Sequence, residues 1–206
     1  MAEKITTLFL DIGGVILTSG WDRHSRRLAF TKFKLDQEET EERHHLMFNL
    51  YEEGKLTLDE YLDRVVFYRD RKFSRDDFEK YMFKQSGAIK ESIDFFQSLK
   101  TRYGLKVIAV NNEGRELNEY RIQKYKLGQL FDAFISSCYV HIRKPDAEIY
   151  HVACDIAHAY PPNILYIDDR LIFVDAAKSL GIKGYHFQGL EPAKLFLQSV
   201  KFASTQ

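Results

Sequence analysis

Cysteine is scarce in this chain: Cys138 and Cys154 are the only two in 206 residues. Neither belongs to a C-x-x-C pair or lies near a run of histidines. This excludes a disulfide framework and a cysteine-based metal site, and leaves two buried thiols in a reducing compartment as the reading. An excess of charge is also missing, since thirty basic residues balance thirty acidic ones. That speaks against nucleic acid, which favours a basic stripe, and against an anionic membrane surface. Long apolar runs are absent. The stretch that ends at Asp11 is too short for a signal-peptide core or a membrane span, and no other run approaches the required length. A cytoplasmic protein is expected, with no nucleic-acid or membrane partner; nothing in the sequence sets an oligomeric state.

What is present is globular. Hydrophobic residues make up 45% of the chain and charged residues 29%, with 16 Phe and 12 Tyr, a composition that argues against disorder. The length suits one domain or a core with a modest insertion. Residues 5–12 read as a buried strand broken by Gly13-Gly14. Residues 19–85 change character, with dense charge and apolar residues at helical spacing. Three helix starts stand out there: Asp36 before Glu39, Thr57 before Glu60, and Ser74 before Asp77, each a short acceptor with an acid three residues on. Leu58, Tyr61, Leu62 and Val65 share one face of the second. Beyond Gly87, strands at 105–110, 131–136, 164–167 and 183–187 alternate with helices at 117–125, 146–157, 174–180 and 191–200. Alternation of this kind implies parallel crossovers and a doubly wound, Rossmann-like α/β sheet. The expected division is a core of residues 1–18 and 86–206 with an all-helical cap, residues 19–85, inserted after the first strand.

Ligands of an open parallel sheet bind beyond the carboxyl ends of its strands. The first strand runs into Asp11, the second into Asn111-Asn112, and the fourth into Asp168-Asp169. Arg143-Lys144-Pro145 follows the third by a few residues. Each of these has a bland reading as a turn, a solvated loop or a helix start. Their order and common placement are what single them out.

In this respect the chain resembles the haloacid dehalogenase superfamily, in its branch with a helical cap (C1-type, subfamily IA-like). Leu8-Phe9-Leu10-Asp11-Ile12-Gly13-Gly14-Val15 matches the first motif, and Val107-Ile108-Ala109-Val110-Asn111-Asn112 the second. Arg143-Lys144-Pro145 with Ile149-Tyr150 matches the third, and Tyr166-Ile167-Asp168-Asp169 the fourth. The resemblance implies a Mg²⁺-dependent hydrolase, a phosphatase of a small phosphorylated metabolite acting through a covalent aspartyl-phosphate. It makes Asp11 the nucleophile and Lys144 the cation that offsets repulsion between nucleophile and phosphoryl group. Asp11, Asp169 and the backbone carbonyl of Gly13 would ligate Mg²⁺ directly, and Asp168 through a water. Asn111, Asn112 and the Gly13 loop would bind the transferring group. Lys144 is expected at the rim of the sheet, serving charge and not packing.

Two departures bear on activity. The phosphatases of the family carry a second Asp two residues after the nucleophile as general acid and base; here that position is Gly13. Positioned acid–base catalysis contributes about 10²- to 10⁴-fold, so another group, with Trp21-Asp22-Arg23-His24 the nearest source, would have to supply it. Asn111 stands where the family has Ser or Thr. These departures keep two alternatives open: a weak or inactive relative that binds a phosphorylated ligand or a protein partner, and a carbon–halogen hydrolase, against which the retained Asp168-Asp169 pair counts.

Overall fold

The computed structural model describes residues 4–203; the expected core limits at 1 and 206 lie outside the described residues. Five parallel strands form one sheet in the order β3-β2-β1-β4-β5: β1 Thr7–Leu10, β2 Lys106–Asn111, β3 Ala133–Ser136, β4 Ile164–Asp168 and β5 Lys183–His186. All four β1 residues are buried, as a central parallel strand covered on both faces must be. The first strand is shorter than its apolar run, because Ile5 leaves the ladder and bridges Phe202.

Side chains alternate across the sheet and build two apolar layers. Leu8, Leu10, Val107, Ala109, Leu165 and Ile167 pack on one face with Phe96 of α5 (Lys90–Tyr103) and Leu197 of α10 (Leu190–Ser199). Phe9, Ile108, Val110, Ile164 and Tyr166 pack on the other with Ala153 of α8 (Ala147–Ala157) and Ala177 of α9 (Leu171–Ser179). The order reverses at β1, which pairs with β2 on one side and β4 on the other. A crevice must therefore open beyond the carboxyl ends of these strands.

Between β1 and α5 lie four helices: α1 Arg23–Lys32, α2 Gln37–Glu52, α3 Leu58–Val65 and α4 Arg75–Lys84. Phe30, Tyr51, Tyr61, Leu62, Phe78 and Met82 give them an apolar cluster of their own, joined by Leu117 of α6 (Arg115–Lys124). The three expected starts are all capped: Asp36 accepts from Glu39 N at 2.9 Å, Thr57 from Glu60 N at 3.2 Å within a capping box, and Ser74 from Asp77 N at 3.1 Å. A fourth start, Asp22 accepting from Ser25 N at 2.8 Å, opens α1. The helical unit joins the sheet through a strap of two chain segments, in which Thr18 N donates to Gly87 O and Gly87 N to Thr18 Oγ1, both at 2.9 Å. No helix among the described residues is long and apolar enough to cross a membrane.

Candidate active site

Asp11, one residue past β1, is 9% exposed. Register places it beside the ends of β2 and β4, since Leu10 pairs with both Ala109 and Ile167. Asp11, Asp168 and Asp169 offer carboxylate oxygens that all lie within 4.8 Å of one another. Lys144 inserts between two of them: its Nζ donates to Asp11 Oδ1 at 2.9 Å, to Asp168 Oδ2 at 2.6 Å and to the Val110 carbonyl at 2.8 Å. At 2% exposure Lys144 is among the most enclosed large side chains, which corrects the expectation of a rim cation. Burial alone would depress its ammonium, but Asp11 and Asp168 outweigh that and hold it above its ordinary value. Burial pushes the Asp11 carboxyl up to about 7 against the pull of Lys144.

The two neighbouring acids differ. Asp168 is fully buried and committed, with Oδ2 accepting from Lys144 and the Tyr166 hydroxyl and Oδ1 from Arg170 N at 2.7 Å. Asp169 is half-buried and opens on the cleft. Burial, then the nearness of Asp168, raises its carboxyl above the usual range.

The glycine pair divides its work. Gly14 has φ +75°, and a Cβ there would stand 2.1 Å from Asp169 Oδ2, so no side chain fits. Gly13 is not in the left-handed region. A Cβ on it would meet Ser19 Cα at 3.6 Å, Arg121 Nη2 at 3.9 Å and Asp11 Oδ2 at 3.9 Å, all ordinary contacts.

Both expected asparagines are at the site, and both are engaged by the protein. Asn111 Nδ2 donates to Asn118 Oδ1 at 3.0 Å and its Oδ1 accepts from Ser136 Oγ at 2.8 Å; Asn118 Nδ2 closes the ring on Ser136 Oγ at 3.1 Å. Asn112 brackets Lys144, its Oδ1 accepting from Lys144 N at 2.9 Å and its Nδ2 donating to Lys144 O at 3.0 Å. The Asn112 side chain thus holds the lysine's backbone in place, a different task from donating to a transferring group.

One pair was not anticipated. Glu113 continues from Asn112, and Arg121 of α6 reaches it with Nη1 at 2.6 Å while Nη2 donates to Thr18 O at 2.6 Å. Both are buried and border the cleft beside Gly13. Burial, opposed by Arg121, pushes the Glu113 carboxyl up to about 7. The one hint in the sequence is that Glu113 prolongs the polar rim after β2. His24, by contrast, is exposed and does not line the cleft, so it falls away as a proton source.

The cleft itself has a volume of about 280 Å³ between the sheet rim and the helical unit. Asp11, Lys144 and Asp169 form its floor; Trp21, just ahead of α1, and His44, Phe48 and Tyr61 of the helices above complete the lining. Tyr61 also belongs to the apolar cluster of the cap, so it packs and lines at once.

Comparison with known proteins gives a family and a fold. The family model of haloacid dehalogenase-like hydrolases matches residues 5–181. A curated relative, the phosphorylated carbohydrates phosphatase of Thermotoga maritima, is 28% identical over 131 residues, 64% of this chain and 56% of that protein; the match thus spans little more than half of the relative's length. Among solved structures, a HAD family enzyme of Bacteroides thetaiotaomicron superposes with a TM-score of 0.81 at 21% identity, covering 94% of this chain and 99% of that one. The same enzyme in complex with magnesium and inorganic phosphate gives 0.79 at 23%, covering 93% and 99%. At these identities the structural likeness speaks for the fold.

Proposed function

The chain belongs to the haloacid dehalogenase-like hydrolases, and on that footing we propose that it is a Mg²⁺-dependent phosphatase of a small phosphorylated metabolite, with Asp11 as nucleophile. The observation that carries the reading is the buried lysine locked between Asp11 and Asp168 beside a third, cleft-facing carboxylate. Hard oxygen donors in this arrangement suit Mg²⁺, which takes one or two carboxylates and keeps several waters. Asp11 and Asp169 open on the cleft and would hold the ion with the Gly13 carbonyl; Asp168, its oxygens already committed, would act through a water. The ion would neutralise charge on the phosphoryl oxygens. The Bacteroides relative's complex with magnesium and phosphate supports this assignment, and the Thermotoga relative supports a phosphorylated carbohydrate as substrate.

Lys144 holds Asp11 Oδ1, which leaves Oδ2, the oxygen near Gly13, to attack phosphorus. The new Oδ2–P bond forms as the bond from phosphorus to the leaving oxygen breaks. Water then attacks the aspartyl-phosphate, releasing inorganic phosphate and restoring the carboxylate. Lys144 offsets the repulsion between the carboxylate and the phosphoryl group. Asn111 would donate its remaining amide hydrogen to that group, and Asn112 would keep Lys144 in register. Residues 1–18 and 86–206 would form the catalytic core, and residues 19–85 the cap that sets specificity.

Asp11→Asn should abolish turnover of para-nitrophenyl phosphate while leaving the circular dichroism spectrum unchanged. Asp169→Asn should weaken Mg²⁺ binding, read by calorimetry, more than Asp168→Asn does. Wild-type turnover in the Asp11 variant would sink the assignment, and the opposite ranking of the two acids would reverse their roles. The missing side chain at Gly13 favours one second reading, a protein that binds phosphate esters without cleaving them. Phosphate binding with no turnover of any ester would select it.

A further inference from the structure

One wall of the cleft carries a hydrogen-bond chain whose direction can be worked out donor by donor. Trp21 Nε1, which can only donate, lies 3.2 Å from the Tyr61 hydroxyl oxygen. That oxygen also lies 2.8 Å from Nδ1 of His44. Tyr61 is 1% exposed and has no other partner for its hydroxyl hydrogen among the described residues. A buried hydroxyl hydrogen without an acceptor is costly, so Tyr61 donates to His44 Nδ1. Nδ1 is therefore the acceptor nitrogen, and the proton of the neutral ring sits on Nε2.

The ring does stay neutral: burial, reinforced by Arg26 and by His45 alongside it and opposed by Glu41, pushes its pKa down to about 3. Its face is fixed as well, stacked on Phe48 with centroids 5.0 Å apart and planes at 24°. Nε2 takes no partner among the described residues, and it is not one of the sealed polar atoms left unpaired. His44 itself is one of the residues that line the cleft. The cap thus brings an oriented, neutral imidazole to the cleft that Asp11 also lines, with Trp21 and Phe48 among its neighbours there.

We propose that His44 is a specificity-determining residue whose Nε2–H binds an oxygen of the leaving half of the substrate, a hydroxyl or ring oxygen of a compact sugar or polyol phosphate. The proposal rests on the phosphatase reading and adds to it a residue and the substrate oxygen that this residue recognises. A cleft of about 280 Å³ lies at the lower edge of small-molecule pockets, which run from about 300 Å³ upward, so it suits a phosphate on a short hydroxylated body. Aromatic faces meet the C–H faces of such a body, and the oriented donor meets its oxygens. Tyr61 and Trp21 are positioning residues in this scheme.

The test compares kcat/KM for glycerol 3-phosphate, ribose 5-phosphate and glucose 6-phosphate with that for phenyl phosphate, whose leaving half has no further oxygen. His44→Leu should lower kcat/KM on the best sugar or polyol phosphate by about threefold to tenfold, the worth of one neutral hydrogen bond, chiefly through KM. Its loss on phenyl phosphate should be at least threefold smaller. His44→Gln, which restores an N–H donor, should recover part of the difference. Tyr61→Phe, which frees the tautomer, should show the same substrate bias in weaker form. Imidazole nitrogen shifts should report a protonated Nε2 in wild type and a mixture in Tyr61→Phe. Equal losses on all four esters, or a protonated Nδ1 in wild type, would overturn the proposal while the hydrolase reading stood. Failure of wild type to cleave any ester, phenyl phosphate included, would bring down the phosphatase reading and this proposal with it.

Discussion

Lys144 shows how much a single side chain can mean once its surroundings are known. Its ammonium is the shared counter-ion of two buried carboxylates. Lys144→Met keeps the apolar stem and leaves Asp11 and Asp168 facing each other without a counter-ion. Removing one partner of a buried pair costs about 3–5 kcal/mol, so urea unfolding in chelator should show a loss of that order. Turnover should fall at least ~10²-fold, as for loss of a preorganised charge. A stability change under about 1 kcal/mol, the surface range, would contradict the buried-counter-ion account. Gly13 presents the opposite case, a position with room to spare. Its backbone accepts a side chain and its virtual Cβ makes only ordinary contacts, so Gly13→Asp should fold. It should raise turnover of alkyl phosphates by some part of the ~10²- to 10⁴-fold that acid–base catalysis supplies. The gain should fall in the lower part of that range, because Arg121 lies near enough to keep the new carboxyl ionised. A stably folded variant whose rate depends on the leaving group as wild type does would place the proton donor elsewhere, and Glu113 would be the next residue to replace.

Helix starts and strand ends were legible in the sequence because their signals are local. Asp36, Thr57 and Ser74 each carry an acid three residues on, and each caps a helix. The start of α1 escaped because Asp22 is followed at that distance by Ser25, so the paired-acid pattern is missing. The four-residue α7, Ser137–Val140, is too short to show a period. Asp11, Asn111 and Asp168 were found because buried parallel strands read as apolar runs that stop at a polar residue. What these groups bond to was not legible. Asn112 and Lys144 are 32 residues apart, and Glu113 and Arg121 pair across a bend between β2 and α6. The first partnership follows from a crossover and the second from the angle of a bend, and no local pattern encodes either. His44 was hidden for another reason: α2 is polar around most of its circumference, so its cleft-facing side does not stand out as an apolar stripe.

At the scale of the molecule, a four-helix unit rests on the carboxyl-end rim of the sheet, and two polar clusters are among its attachments. One is the strap at Thr18 and Gly87. The other is a clamp where the carboxyl end of α2 meets the loop that carries Lys144. Arg143 Nε and Nη2 reach Glu52 Oε2 at 2.8 and 2.6 Å, and Nη1 donates to Asn49 Oδ1 at 2.6 Å. Ser137 Oγ donates to Glu52 O at 2.6 Å, and His141 Nδ1 lies 2.6 Å from Glu53 O. Unpaired carbonyls at a helix end carry partial negative charge, so this end of α2 is a natural seat for a cation. Because Lys144 follows Arg143 directly, the clamp couples the height of the cap to the residue that pairs with Asp11 and Asp168. The Arg143–Glu52 pair is partly buried, at 20% and 24% side-chain exposure, and its removal should cost on the order of 1 kcal/mol locally. Arg143→Ala should therefore speed amide exchange at residues 51–56 by up to about tenfold, while β1, β2 and β4 keep wild-type protection. KM and kcat should change together, as expected when a closing element loses its latch. Unaltered exchange at 51–56 would mean that the strap and the packing of Leu117 against the cap hold the two units together without the clamp.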